Sequence, residues 1–263
     1  MRFIRNSCLV VAGTAFFCCA TLAQVPVPAA ASITPAPAKA APAPAKPAAQ
    51  ANAPLVIDVF GDSLADGLWA GLYTTLKKHP EDKLYRHSKV GTGLTNPSFN
   101  DWIKEMASAL DADHPTNVVI MFGANDEQSV RDDNHKGYNF KSEGWKSVYV
   151  GRINAILSET AKRHIATVWV GLPVMRTDEM NAGASYLDQL YSTTAAQAKV
   201  RFVSLAETFK GADGAFAMHL PDASGHLHLV RADDGVHFTP YGYELIADQV
   251  YPALVSPQPD AAP

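Results

Sequence analysis

LVIDVFGDSLADGLWAGLYTTL, residues 55–76, decides how this chain folds. Its first six residues form an apolar run that reads as a buried strand, and GDSLADG (61–67) reads as a tight turn. Leu64, Leu68, Leu72 and Leu76 then recur every fourth residue, as along one face of a helix. Ser63 thus stands where a parallel strand ends and a helix begins, with helix amides pointing at the space around its hydroxyl. On position alone, capping that helix is the simpler role for Ser63. The rest of the chain bears on the alternative, a nucleophile.

Working outward, strand-like runs recur at 84–90 (LYRHSKV), 117–122 (NVVIMF), 166–172 (ATVWVGL) and 200–205 (VRFVSL). Helical spacing separates them. Trp102, Met106 and Leu110 mark the second helix; Tyr149, Ile153, Ile156, Leu157 and Thr160 the third; Leu187, Leu190, Tyr191 and Ala198 the fourth. The last helix opens at Thr239-Pro240, a cap followed by proline at the first helical position, and carries Leu245, Ile246 and Val250 inward. Five strands alternating with helices predict an α/β fold, a parallel sheet covered on both faces by right-handed crossovers. In such sheets functional residues gather at the carboxyl ends of the strands. A polar insertion at 127–146 and an excursion at 207–233, with a small hairpin around residues 221–225, are expected to overhang that end.

The chain ends read differently. Arg2 and Arg5 precede an apolar run from Cys8 to Ala23, so residues 1–23 are expected to be a signal peptide, or an uncleaved membrane anchor. The expected localisation is exported, periplasmic or at the cell surface. Cys8, Cys18 and Cys19 all lie in this segment, so a processed chain has no disulfide and no thiol nucleophile. Residues 24–53 are rich in Ala and Pro and read as a disordered linker, a stalk that tethers the domain to membrane or cell wall. A catalytic-size domain follows at 54–255, with a short disordered tail at 256–263. A composition 47% hydrophobic and 18% charged supplies one sizeable core, and a net charge of -4 without a dense basic patch argues against nucleic acid as a partner.

The loops after the strands carry a consistent set of residues. GDSLADG bears Ser63, VGTGLTNP bears Gly91 and Gly93, GANDEQ bears Asn125, and DDGVH places Asp234 three residues ahead of His237. A serine hydroxyl attacks a carbonyl only if a base takes its proton, a role for His237. That base needs a carboxylate on its other nitrogen, a role that Asp234 can take from the same loop, with Asp233 as competitor. The oxyanion needs donors, offered by the amides of Ser63 and Gly93 and the side chain of Asn125.

Taken in order, GDSL, the glycine loop, GAND and DGVH, which runs from Asp234 to His237, resemble the four sequence blocks of the SGNH (GDSL-type) hydrolase superfamily, including an exported bacterial subgroup. The resemblance spans the folded region from Leu55 to the last helix. It implies a flavodoxin-like three-layer sandwich with strand order 2-1-3-4-5, and ester hydrolysis without metal or cofactor. It also implies Ser63 as nucleophile, Asp234 and His237 as acid and base, and Gly93 and Asn125 as oxyanion donors. Gly93 is preferred to Gly91 because it follows Thr92, a small hydroxyl residue. Relatives that act on O-acetyl groups of glycans imply a small acyl ester or O-acetylated glycan as substrate. A glycan O-acetyltransferase, a lipid or thioester hydrolase, and an inactive glycan-binding or scaffold domain are the alternatives. Trp145, at the rim of the insertion, is expected to stack on a sugar, and Arg176 to contact an acidic substrate or face solvent. Asp62 and Asp126 read as loop braces. His226 and His228 read as a solvated hairpin face rather than metal ligands, and no metal site is expected.

Overall fold

The computed structural model describes residues 53–256. Apart from Ala53 and Ser256, the expected signal segment, linker and tail lie outside the described residues. Among the described residues no helix is long and apolar enough to cross a membrane.

The described chain runs β1 (Val56–Gly61), α1 (Ser63–Leu76), β2 (Lys83–Ser88), α2 (Trp102–Asp113), β3 (Asn117–Met121), β4 (Val130–Arg131), β5 (Gly137–Tyr138) and α3 (Glu143–Lys162). It continues through β6 (Ala166–Val170), α4 (Asp178–Gln197), β7 (Arg201–Val203), β8 (His219–Pro221), β9 (Leu227–Leu229) and α5 (Pro240–Val255). The central sheet has five parallel strands in the order β2-β1-β3-β6-β7. Counted along the sheet strands alone, this is the expected 2-1-3-4-5 order. β4 pairs with β5 and β8 with β9 as two short antiparallel hairpins. The first lies inside the 127–146 insertion, and the second is the added hairpin read from the sequence.

Side-chain size sets how these layers approach. Leu64, Leu68, Leu72 and Leu76 are all buried beneath α1, each contributing about 2 kcal/mol by leaving water. Gly67 and Gly71 let α1 lie against α5, since a Cβ on either would fall 1.9 Å or 2.3 Å from atoms of Tyr243. At the end of β1, Gly61 has φ +146°, and a Cβ there would fall 1.8 Å from the Met121 carbonyl oxygen. Only glycine permits that approach, and it sets the turn at Ser63 beside the end of β3.

One helix start and two inward positions differ from expectation. The helical part of the insertion begins early: Ser142 accepts from the Trp145 amide and caps α3, which starts at Glu143. Ala198 caps the end of α4 and is exposed, the buried row ending at Ala195. Leu245 is only half-buried, while Ile246 and Val250 are fully so.

Candidate active site

The strand-to-helix turn is held from below by Asp62. Its Oδ1 accepts the Leu64 amide at 2.9 Å, and its Oδ2 accepts the amides of Gly123 and Ala124 at 2.9 and 2.8 Å. One carboxylate therefore caps α1 and ties the Ser63 turn to the loop after β3. Burial pushes Asp62 up to about 7 against the pull of the Leu64, Gly123 and Ala124 amides, with the nearby charge of Asp126 adding to the rise.

Asp126 does the same for the glycine loop. Its Oδ1 accepts the amides of Leu94 and Thr95 at 2.7 and 3.1 Å, and its Oδ2 accepts the Tyr149 hydroxyl at 2.7 Å. A Cβ at position 93 would lie 2.2 Å from Asp126 Oδ1, so the loop requires glycine there. Asn125 donates its Nδ2 to the Thr92 carbonyl at 2.8 Å, which joins the loop after β2 to the loop after β3. The amides of Ser63 and Gly93 have no acceptor among the described residues, and the second Nδ2 hydrogen of Asn125 is also unspent. Gly91, by contrast, has open space around its Cα.

The loop before α5 brings in an imidazole. His237 Nδ1 lies 2.6 Å from Asp234 Oδ2, and His237 Nε2 lies 2.7 Å from Ser63 Oγ. With Nδ1–H donating to the carboxylate, Nε2 is left to accept the serine proton. Asp234 Oδ1 also accepts the amides of Val236 and His237 at 2.8 and 2.9 Å. Burial opposes its ionisation, but those amides and the imidazole outweigh it and hold Asp234 at about 2. Asp233 meets the loop only through its carbonyl, which accepts from Arg176.

Sequence reasoning missed the residue that shapes this loop. Arg231 is wholly buried. It donates to the carbonyls of Val174 (2.8 Å), Gly235 (3.2 Å), Val236 (3.0 Å) and His237 (3.3 Å), and its guanidinium lies between the rings of Phe216 and Phe238. Burial lowers it to about 10, with the charge of Asp234 working the other way. A single arginine after the run at 227–230 gave no signal of this, because the spacing of carbonyls in an irregular loop is not written in residue types, and its fourth acceptor, Val174, comes from a distant loop.

One expected substrate contact is corrected, and the second gains partners. Trp145 is fully buried, stacked on Tyr149 with ring centroids 4.4 Å apart, and donates Nε1 to the Gln128 carbonyl at 2.6 Å. Starting α3 at Glu143 puts Trp145 and Tyr149 one turn apart on its inner face, so no ring face is left for a sugar. Ser142 was the cap that could have revealed this. Arg176 donates to the Asp233 and Ala232 carbonyls at 2.6 and 3.4 Å and lies over Phe216. Arg176 is exposed, one of its two expected settings, and its guanidinium also braces the Asp234 loop.

Beside Asn125 and Val236 opens a cleft of about 310 Å³, lined on its apolar side by Met175, Met180 and Ala184 and on its polar side by Glu127, Gln128 and Glu179. Burial raises Glu127, with the Lys141 charge opposing and the Glu179 charge adding. A serine hydroxyl paired to an imidazole, unspent amides on two neighbouring loops and a small cleft form an arrangement able to attack a carbonyl and receive an oxyanion.

Solved structures share this architecture. A GDSL-like lipase from Bacteroides thetaiotaomicron aligns with TM-score 0.53 and 16% identity, over 76% of this chain and 87% of that one. An acetyl xylan esterase aligns with TM-score 0.52 and 16% identity, over 76% of this chain and 100% of that one. A variant of an acetyl-xylooligosaccharide esterase from Geobacillus Stearmophilus aligns with TM-score 0.55 and 17% identity, over 76% and 94%. At these identities the likeness is one of fold. No curated protein matches the chain. The family described as "Protein of unknown function (DUF459)" matches residues 56–253, from β1 into α5. The chain therefore belongs to the DUF459 family, and its fold is that of the SGNH (GDSL-type) hydrolases.

Proposed function

We propose that this protein is an exported serine esterase that removes small acyl groups, foremost acetyl, from an O-acetylated glycan. The observation that carries the reading is the unbroken line from Ser63 Oγ through the His237 ring to Asp234, with contacts of 2.7 and 2.6 Å. His237 takes the Ser63 proton as Oγ bonds to the acyl carbon, and the amides of Ser63 and Gly93 with the Asn125 side chain receive the oxyanion. His237 then returns the proton to the leaving sugar oxygen as the ester bond breaks. Water, deprotonated by the same imidazole, cleaves the acyl-enzyme and frees the acid.

The surroundings support the substrate class. A cleft of about 310 Å³ stands at the small end for ligand pockets, which suits a short acyl group better than a lipid chain. Glu127 and Glu179 on its wall disfavour anionic esters and phosphate-bearing thioesters. Two of the solved proteins sharing the fold are esterases of acetylated xylan or xylo-oligosaccharides by name, which supports a glycan ester here. Hydrolysis is favoured over acyl transfer to a second sugar because the His237 and Asp234 side chains are 33% and 49% exposed, leaving the acyl-enzyme open to water. The basic and apolar pattern of residues 1–23 supports export.

The test is release of acetate from 4-nitrophenyl acetate and from O-acetylated xylo-oligosaccharides. Ser63→Ala is expected to lower the rate by on the order of 10⁴- to 10⁶-fold while the fold is kept. A folded Ser63→Ala protein of full activity would sink the proposal, and an acetylated acceptor glycan among the products would turn the assignment to a transferase.

A further inference from the structure

β1 carries a buried carboxylate that chemistry at Ser63 does not use. Asp58 is wholly inaccessible to solvent, and neither of its carboxylate oxygens has a hydrogen-bond partner. Alternation along the strand puts Asp58 on the same face as Phe60, and the parallel register sets Phe60 opposite His87 of β2. The His87 ring stacks on Phe60 with centroids 4.7 Å apart. So held, its Nε2 lies 3.6 Å from Asp58 Oδ2 and 2.9 Å from Oδ2 of Asp113, the last residue of α2. One ligand-type atom from each of the three residues lies within 4.8 Å of the other two. His87 and Asp113 also line a cleft of about 450 Å³ that reaches solvent, while Asp58 closes the cluster on the core side.

We propose that Asp58, His87 and Asp113 bind a divalent transition-metal ion of the zinc type, which ties β1 and β2 to the end of α2. Zinc bonds imidazole nitrogen and carboxylate oxygen at about 2.0–2.2 Å, so two ligands of one tetrahedral ion stand roughly 3.4 Å apart. The separations of 2.9 and 3.6 Å bracket that edge. One imidazole with two carboxylates is a mixed nitrogen and oxygen donor set of the kind first-row divalent ions accept, and the cleft supplies water for the remaining position. Two carboxylates balance the charge of the ion. Pairing His87 with Asp113 alone would leave Asp58 buried without a partner, a costly state; an ion gives all three groups a partner. The site stands apart from the esterase reading, whose failure would leave it untouched.

The test is zinc titration of the chelator-stripped full chain, followed by calorimetry and thermal melting. Cys8→Ser, Cys18→Ser and Cys19→Ser are introduced in every sample so that thiols do not compete. One equivalent of zinc is expected to bind, and free zinc at a hundred times its Kd is expected to raise the melting midpoint by about 5–10 °C. His87→Ala and Asp113→Asn should each weaken binding more than about a hundredfold. Asp113 is partly exposed at a helix end, so Asp113→Asn retains the fold and keeps the comparison valid. Absence of saturable zinc binding overturns the proposal, and so does binding as strong in both variants as in the parent, which would place the ion elsewhere.

Discussion

The turn that carries Ser63 and the loop that carries His237 meet at a contact of 2.7 Å, yet they are built in opposite ways. The turn rests on a carboxylate sealed from water: Asp62 receives three amides and is pushed up to about 7 by burial. The loop presents a carboxylate that is 49% exposed and held near 2, and it is shaped from behind by the cations Arg231 and Arg176. Both are aspartates that accept backbone amides. What separates them is solvent: a carboxylate out of water serves as a joint between loops, whereas the partly exposed one beside an imidazole stays ionised.

The sharpest way to break this comparison is Asp234→Asn. It should lower kcat about ten-thousandfold by presenting the wrong tautomer of His237, while urea unfolding remains close to the parent; a large loss of stability would make Asp234 a joint as well. Asp62→Ala should do the reverse, lowering stability by about 3–5 kcal/mol in urea unfolding because three amides lose a charged acceptor. Trp145→Ala belongs with it, costing about 3–5 kcal/mol as an emptied core position. Its KM for glycan esters should be unchanged in the folded fraction, and a selective rise in that KM would restore a sugar-stacking role.

Acidity separates the two regions further. Asp62 and Asp126 rise from the ordinary 3.8 to about 7 and about 6. Their contribution to stability is full below about 3.8 and is lost as pH rises through about 6 and 7. The lowered Asp234 works the other way, present above 3.8 and lost as pH falls through about 2, so it leaves the range from 5 to 8 alone. The urea midpoint should therefore be higher at pH 5 than at pH 8, and the difference should shrink in Asp126→Asn. The smallest effect is expected from Arg176→Met, a fewfold drop in kcat through a looser Asp234 loop. Neutral and anionic esters should suffer alike; a loss confined to anionic esters would mean that Arg176 meets substrate after all.

The legible parts of this protein were those whose signal is local. The sheet strands, the leucine row of α1 and the Thr239-Pro240 start of α5 each follow from spacing within one element. Ser63, Asn125, Asp234 and His237 stood out because each sits in a short loop just after a strand or before a helix. Trp145 was misplaced for want of one cap, since whether a tryptophan at an element's edge points in or out depends on where the helix starts. The grouping of Asp58 with His87 and Asp113 gave no local signal because the three come from separate elements, and Arg231 gave none because the carbonyls it gathers belong to an irregular loop and to distant Val174.

The amino-acid sequence by itself determined the alternating α/β order, the position of Ser63 at a strand-to-helix turn and the residue types at the sheet end, because periodicity and turn chemistry act over a few residues. Only the tertiary structure decided how closely Ser63 and His237 meet across the fold, which amides Asp62 and Asp126 join as loop braces, the tying of Arg176 to a loop, the burial of Trp145, and the juxtaposition of Asp58, His87 and Asp113. Those depend on which loops the parallel register brings side by side, and on which charges lose their water when it does.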